Sequence, residues 1–316
     1  MKIVILDAKT LGEDLDLSAA NRFGEVLVYP NSTEEEVAER VTDTDVVIIN
    51  KIKMNEKVLK NAKNLKLICV AATGFDNIDT EYCKKRGIRV ANVPAYSTYS
   101  VAQVTVSMVC SLMTHLEEYH GFVKSGEYTK SKLPNRLTPV CHDISGKTWG
   151  IIGYGNIGRS VGRVAEALGA KVIVYKRNPC DDATCVDIET LCRESDIITV
   201  HCPLNKDSRE LINAEKIALM KPNVILVNEA RGAVLDEKVI ADAVISGKIS
   251  GFGCDVYSEE PFGTNHPYNS ILECENVIFT PHAAWGSYES RERCIYIIAE
   301  NIDAFVSGKT LNRVDK

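Results

Sequence analysis

Short runs rich in β-branched and aliphatic residues recur along this chain, each followed by a stretch of helical periodicity, and that alternation dictates parallel sheets with helices on their faces. The first set of predicted strands covers residues 2–6, 25–29, 46–50, 65–71 and 88–93, with a helix over 33–41 opened by Ser32 or Thr33 and acidic in its first turn. These make one doubly wound unit. A long apolar helical pattern over 99–123 and a polar stretch over 124–146 come next. Six more strands are then predicted at 148–152, 171–175, 197–201, 223–228, 251–256 and 276–280, with helices between them. A last helical pattern places Ile295, Ile298, Ala299, Ile302 and Phe305 on one face and has no strand after it. That face must be buried somewhere, and the first unit is the candidate, so the first unit is expected to be discontinuous.

Two domains also follow from length, since 316 residues exceed what one hydrophobic core supports. The balance of 37 basic against 43 acidic residues, net −6, implies no general polyanion-binding face, so nucleic acid is not expected as a partner. The longest mostly apolar stretch, 101–116, is broken by Gln103, Thr105, Ser107, Ser111, Thr114 and His115 and is too short to span a bilayer. The opening residues read as a buried strand rather than a signal peptide, and a cytoplasmic protein is expected. Eleven cysteines form no disulfide scaffold: the number is odd, and Cys69, Cys110 and Cys254 lie in apolar strand or helix patterns expected to bury free thiols. Cys180 and Cys185 flank a polar loop, and Cys141 adjoins His142, but zinc-ligand spacing is missing and no metal is expected.

The most informative local pattern is the predicted strand 148–152 running into Gly153-Tyr154-Gly155-Asn156-Ile157-Gly158. Ile157, Val161, Val164, Ala165 and Leu168 give a helix face directly after the turn, ended by Gly169. In a strand–turn–helix of this kind Gly153 permits the tight turn, Gly155 lets backbone approach a pyrophosphate, and Gly158 lets the helix pack on the strand; a dinucleotide is expected there. Six strands also suit a complete dinucleotide-binding sheet. An NAD-selective site places an acid about 20 residues onward, at the end of the next strand. Here that strand ends in Lys176 and Arg177, so NADP(H) is favoured over NAD(H), the alternative being that both are solvated loop charges.

Three ionisable residues follow successive predicted strands of the second set: Arg231, Glu260 and His282. Ligands of open α/β sheets bind outside the carboxyl ends of the strands, so a cation, an acid and a base converge where the reactive end of the dinucleotide is expected.

The surrounding residues match a family. Asn228-Glu229-Ala230-Arg231-Gly232, Gly253-Cys254-Asp255-Val256-Tyr257-Ser258-Glu259-Glu260-Pro261 and Thr280-Pro281-His282-Ala283-Ala284-Trp285 resemble the three blocks of the D-isomer-specific 2-hydroxyacid dehydrogenases. Asp255 follows Arg231 by 24 residues and Glu260 by five more, as in that family, and Ala72-Thr73-Gly74-Phe75-Asp76-Asn77-Ile78-Asp79 extends the likeness into the first unit. The resemblance implies two doubly wound parallel-sheet domains of the α/β class: a flavodoxin-like substrate domain, 1–98 plus 288–316, and a Rossmann cofactor domain, 99–287. It implies an oxidoreductase that interconverts a small 2-oxo acid and its D-2-hydroxy acid. Arg231 would clamp the carboxylate and 2-oxo group. His282 would exchange a proton with the substrate oxygen, and Glu260 would orient its ring. Thr73 and Gly74 would offer backbone N–H groups to the carboxylate. Asn156 and Ile157 would lie along the pyrophosphate, Cys202, Pro203 and Ser208 along the adenosine side, and Asp255 near the nicotinamide amide. Trp285 resembles the bulky wall of glyoxylate and hydroxypyruvate reductases, the alternative being a packed aromatic.

Three positions depart from the family pattern. Glu229 stands where a small or apolar residue is usual, although the coenzyme contacts expected of Glu229 and Ala230 are largely backbone; Gln103 replaces a usual Glu, and Tyr99 a small or acidic residue. Glu260 argues against a formate dehydrogenase, which pairs Gln with the His, while a short phosphoglycerate dehydrogenase stays open. A different class of reading is a coenzyme-sensing, corepressor-like binding protein of the same fold, which the short stretch beyond the last helix disfavours. The helix over 99–123 offers a face for a twofold interface, and a homodimer is expected.

Overall fold

A computed structural model describes residues 1–178 and 180–315. The chain forms two compact units, Met1–Ser97 with Gly286–Lys316, and Thr98–Trp285.

The first unit begins β1 (Lys2–Ile5), β2 (Glu25–Val28), α1 (Glu34–Arg40), β3 (Val46–Ile49), α2 (Glu56–Leu59), β4 (Leu67–Val70), α3 (Thr80–Arg86) and β5 (Arg89–Ala91). All strands are parallel, in the order β2-β1-β3-β4-β5 of flavodoxin-like sheets. The inner strands β3 and β4 are buried throughout, and their sequences, VVII and LICV, are the unbroken apolar runs that a sheet covered on both faces demands. Helix α1 opens on a capping box: the Thr33 hydroxyl accepts from the Glu36 backbone N–H, and the Glu36 carboxylate accepts from that of Thr33 at 2.8 Å.

The second unit contains α4 (Thr98–Thr114), α5 (Leu116–Lys124), α6 (Glu127–Ser131), β6 (Thr148–Ile152), α7 (Asn156–Ala167), β7 (Lys171–Tyr175), α8 (Ile188–Glu194), β8 (Ile197–Val200), α9 (Ala214–Leu219), β9 (Val224–Asn228), α10 (Glu237–Ile245), β10 (Ile249–Cys254) and β11 (Val277–Phe279). Its six strands are parallel in the order β11-β10-β9-β8-β6-β7. A single parallel bridge from Val174 to Cys185 adds a rudimentary strand outside β7. With that bridge counted third, the arrangement is the 3-2-1-4-5-6 order of dinucleotide-binding sheets, with β11 beyond it. Helix α4 lies against β9, β10 and α7, burying Met108, Val109 and Leu112 with Trp149, Ile151 and Val227.

The helix expected over 99–123 is broken. His115 adopts φ 49°, a left-handed conformation that ends α4 and starts α5 in a new direction. The polar stretch after it contains the short helix α6, and Cys110, expected to be buried, is only half-buried. The strand expected at 251–256 runs instead as β10, starting two residues earlier. The last helix, α11 (Tyr288–Val306), packs on β4 and on the 3-10 turn Ser18–Phe23 in the first unit. The residues after it cover the open edge of β5: Val314 N–H donates to Val90 O at 3.0 Å, and Asp315 accepts from Val90 N–H at 3.0 Å.

Candidate active site

The carboxyl ends of β6 to β11 carry the residues of interest. After β6 the chain turns at Gly153, with φ 93° and so little room that a Cβ would stand 2.5 Å from Cys202 N. At Gly158 a Cβ would lie 2.3 Å from Gly153 O, so the missing side chain is what lets α7 start close against its strand. Gly155, the N-cap of α7, has open space where a side chain would be and offers no capping side chain. The first-turn N–H groups of α7, Asn156 and Ile157 among them, therefore face an uncrowded backbone surface. This cradle fits a dinucleotide pyrophosphate.

Around it, Lys176 is half-buried and Arg177 exposed just past β7; Arg177 Nη1 lies 3.5 Å from Asp207 Oδ2. Cys202 is half-buried after β8, and Pro203 is exposed. The buried Ser208 hydroxyl donates to Pro203 O at 2.7 Å and accepts from Asn205 N–H at 2.8 Å, so it shapes this loop from within.

At the end of β9 the buried Asn228 wraps the following turn: its Nδ2 donates to Arg231 O at 3.1 Å, and its Oδ1 accepts from Ala230 N–H at 3.1 Å. The Arg231 guanidinium donates to Ala230 O at 2.8 Å. Gly232 then packs so close to the Tyr257–Ser258 peptide that a Cβ there would sit 2.1 Å from it, which seats the Arg231 turn against the loop carrying Glu260. Within that turn Glu229 is buried, with no hydrogen-bond partner for either carboxyl oxygen among the described residues; burial, with Asp255 nearby, pushes its carboxyl well above the ordinary range.

His282 follows β11. Its Nδ1 lies 2.6 Å from Glu260 Oε2, while Glu260 Oε1 accepts from Tyr257 N–H at 3.0 Å. His282 itself has φ 53°, a strained conformation for a non-glycine residue that redirects its side chain. The loop is held from beneath by the buried Asp255: Oδ1 accepts from Thr280 Oγ1 at 2.6 Å and from Ala283 N–H at 2.8 Å, and Oδ2 from Ala284 N–H at 3.0 Å. Burial raises the Asp255 carboxyl, and these three donors pull it back. Trp285 Nε1 donates to His282 O at 2.9 Å.

Several residues that sequence reasoning passed over complete this scaffold. Tyr257 donates its hydroxyl to Thr280 O at 2.8 Å and so ties the Glu260 loop to the His282 loop. Ser100 on α4 donates to Ala284 O at 2.5 Å. Glu237 accepts from Ser258 N–H at 2.9 Å and lies 3.0 Å from His266 Nε2. Tyr257 lies inside a block already quoted and Ser100 next to Tyr99, whereas nothing in the sequence marked Glu237. In the first unit, Thr73 Oγ1 donates to Val93 O at 2.9 Å, and Asn92 Nδ2 donates to Thr73 O at 2.8 Å, fixing the turn that leads to Gly74. Among the described residues no group of three or more His, Cys, Asp or Glu side chains could hold a metal ion, and no helix is long and apolar enough to cross a membrane.

The glycine cradle and the Arg, Glu and His loops share one edge of a parallel sheet, which defines a dinucleotide-dependent oxidoreductase. The chain belongs to the D-isomer specific 2-hydroxyacid dehydrogenase family, whose NAD binding domain matches residues 106–284. It is an NAD(P)-dependent enzyme of 2-oxo and 2-hydroxy acids. It is 36% identical to a hydroxypyruvate reductase of Blautia hydrogenotrophica over 100% of both chains, and 38% identical to a glycerate dehydrogenase of Methylorubrum extorquens over 99% of each. Among solved structures, the D-lactate dehydrogenase of Aquifex aeolicus, complexed with NAD and lactic acid, is similar with a TM-score of 0.86 and 31% identity, over 98% of this chain and 96% of that one.

Proposed function

We propose that this enzyme reduces hydroxypyruvate or glyoxylate to the corresponding hydroxy acid, D-configured where the product is chiral, with NADPH preferred over NADH. The observation that carries the reading is the 2.6 Å pairing of His282 with Glu260, set on the same sheet edge as the Arg231 turn and the glycine cradle. When bound, the reduced nicotinamide supplies a hydride to the carbonyl carbon. Arg231 holds the carboxylate and 2-oxo group with its planar fork, which a lysine point charge does not reproduce. His282 donates a proton from Nε2 to the substrate oxygen, because Nδ1 is occupied by Glu260. In the reverse direction the neutral ring takes that proton back. Thr73 and Gly74 offer backbone N–H groups to the carboxylate, and Trp285 walls the side-chain pocket.

For the coenzyme, Gly153, Gly155, Asn156, Ile157 and Gly158 take the pyrophosphate; Cys202, Pro203 and Ser208 line the adenosine side; and the Glu229 and Ala230 backbone, with Asp255, borders the nicotinamide. Lys176 and Arg177 supply positive charge for a 2′-phosphate, and no carboxylate terminates β7 to repel one. In this reading the five-stranded unit binds substrate and the six-stranded unit binds coenzyme. A homodimer working in the cytoplasm completes the proposal.

The test is coenzyme oxidation with glyoxylate, hydroxypyruvate and pyruvate, each with NADPH and NADH. Turnover on the first two with a higher kcat/KM for NADPH is expected. A clear NADH preference overturns the coenzyme assignment. Coenzyme binding without turnover on any 2-oxo acid overturns the catalytic one and favours a coenzyme sensor.

A further inference from the structure

We propose that Cys180 and Cys185 form a redox-active dithiol, a modification site that takes a low-molecular-weight disulfide as oxidant and closes covalently the loop behind β7. The two sulfurs lie 3.5 Å apart; Cys180 N–H donates to Cys185 Sγ at 3.4 Å, and Cys185 Sγ lies 3.5 Å from Cys180 O. Closing to the ~2.0 Å of a disulfide needs an approach of only about 1.5 Å. The far side of the loop is pinned by the lone strand bridge: Val174 N–H donates to Thr184 O and Val186 N–H to Val174 O, both at 2.9 Å. Asp182, within the loop, is paired with Arg159 of α7. Both thiols are half-buried and so within reach of a small oxidant, whereas Cys69, Cys83, Cys192, Cys254 and Cys294 are buried.

The geometry also orders the steps. Burial and the contact with Cys185 raise the Cys180 thiol, so the first attack is assigned to Cys185 and the second to Cys180. Cys185 attacks one sulfur of the small disulfide, forming a mixed disulfide and releasing one thiol. Cys180 then loses its proton to solvent and attacks the Cys185 sulfur, releasing the second thiol. Two cysteines are oxidised by two electrons, one small disulfide is reduced to two thiols, and the same exchange run backwards restores the dithiol. Resting on the coenzyme reading above, a further consequence is that the bond stiffens the loop that follows Lys176 and Arg177, so the oxidised protein binds NADPH with a different affinity.

The folded protein is incubated with 2-hydroxyethyl disulfide, and the product is read by intact mass, thiol titration and non-reducing cleavage before aspartate, which separates Cys180 from Cys185 at Asp181 and Asp182. The expected result is a loss of ~2 Da and a linked pair of peptides that separates on reduction. Cys180→Ser and Cys185→Ser should each abolish the link, and Cys180→Ser should leave a stable mixed disulfide on Cys185. Both thiols unmodified, or each capped separately in the unaltered protein, overturns the proposal. NADPH titrations of the oxidised and reduced forms should differ by about threefold or more, the scale of one exposed charge contact. A linked pair with equal affinities overturns only the coupling, and a reduced protein that binds no NADPH fails the coenzyme reading while leaving the dithiol standing.

Discussion

Replacing Glu260 with Gln removes one charge and changes no shape, and the structure gives the size of the effect. Both carboxylate oxygens are acceptors, Oε1 for Tyr257 N–H at 3.0 Å and Oε2 facing His282 Nδ1 at 2.6 Å. A glutamine has a single oxygen. If that oxygen stays on Tyr257, its NH2 faces Nδ1 and leaves no acceptor for a ring holding both protons; if it turns to His282, an NH2 meets the Tyr257 N–H. Either way one hydrogen bond to a charged group is lost, worth about 1.5–3 kcal/mol, and the partial exposure of both side chains, 22% and 32%, puts the cost near the lower end. Expressed in the transition state, ~2 kcal/mol is about 30-fold in rate. Glu260→Gln should therefore lower kcat for 2-oxo acid reduction by roughly 10- to 100-fold with the coenzyme Kd unchanged, measured by steady-state kinetics and fluorescence titration. A kcat within about twofold of the unaltered enzyme would mean that the Glu260 charge does not act on His282 during the reaction.

Gly153→Ala forces a side chain into φ 93° and against Cys202 N at 2.5 Å, so it should cost about 2 kcal/mol or more in chemical denaturation and abolish the coenzyme-induced rise in Tm. Lys176→Ala combined with Arg177→Ala should lower kcat/KM for NADPH about 10-fold or more while sparing NADH; stability should change by less than ~1 kcal/mol, because the Arg177–Asp207 pair is exposed. His201 buries both ring nitrogens without a partner among the described residues, and burial lowers its imidazole from 6.5 to about 3. The unfolded chain binds this proton below 6.5 while the folded chain resists it to about 3, so stability should fall as pH falls through that window, by at most ~1.4 kcal/mol per pH unit. In urea titrations at stepped pH, His201→Met should flatten this slope relative to the unaltered protein; parallel slopes would count against it.

The strands were legible because a parallel sheet covered on both faces needs unbroken apolar runs, as at Val46–Ile49, Leu67–Val70 and 224–227. The break at His115 was not, since apolar spacing continues on both sides of it. Nor was the bridge at Cys185, one residue of pairing inside a polar loop. Arg231, Glu260 and His282 could be picked out because each follows a strand, and strand ends of such sheets converge. The anchoring by Asp255 escaped notice because two of its three donors are the backbone N–H groups of Ala283 and Ala284, which no side-chain pattern records. Glu229 stood out as a departure from the family pattern, but its burial and the lack of a partner for its carboxyl among the described residues are seen only in the structure.

The most direct measurement is the single-turnover rate of glyoxylate reduction by His282→Ala, taken with the NADPH dissociation constant of the same variant. The expected rate is lower by about 100- to 10,000-fold, the range of a lost general acid, with NADPH affinity essentially unchanged. A rate within about threefold of the unaltered enzyme would mean that the proton comes from elsewhere.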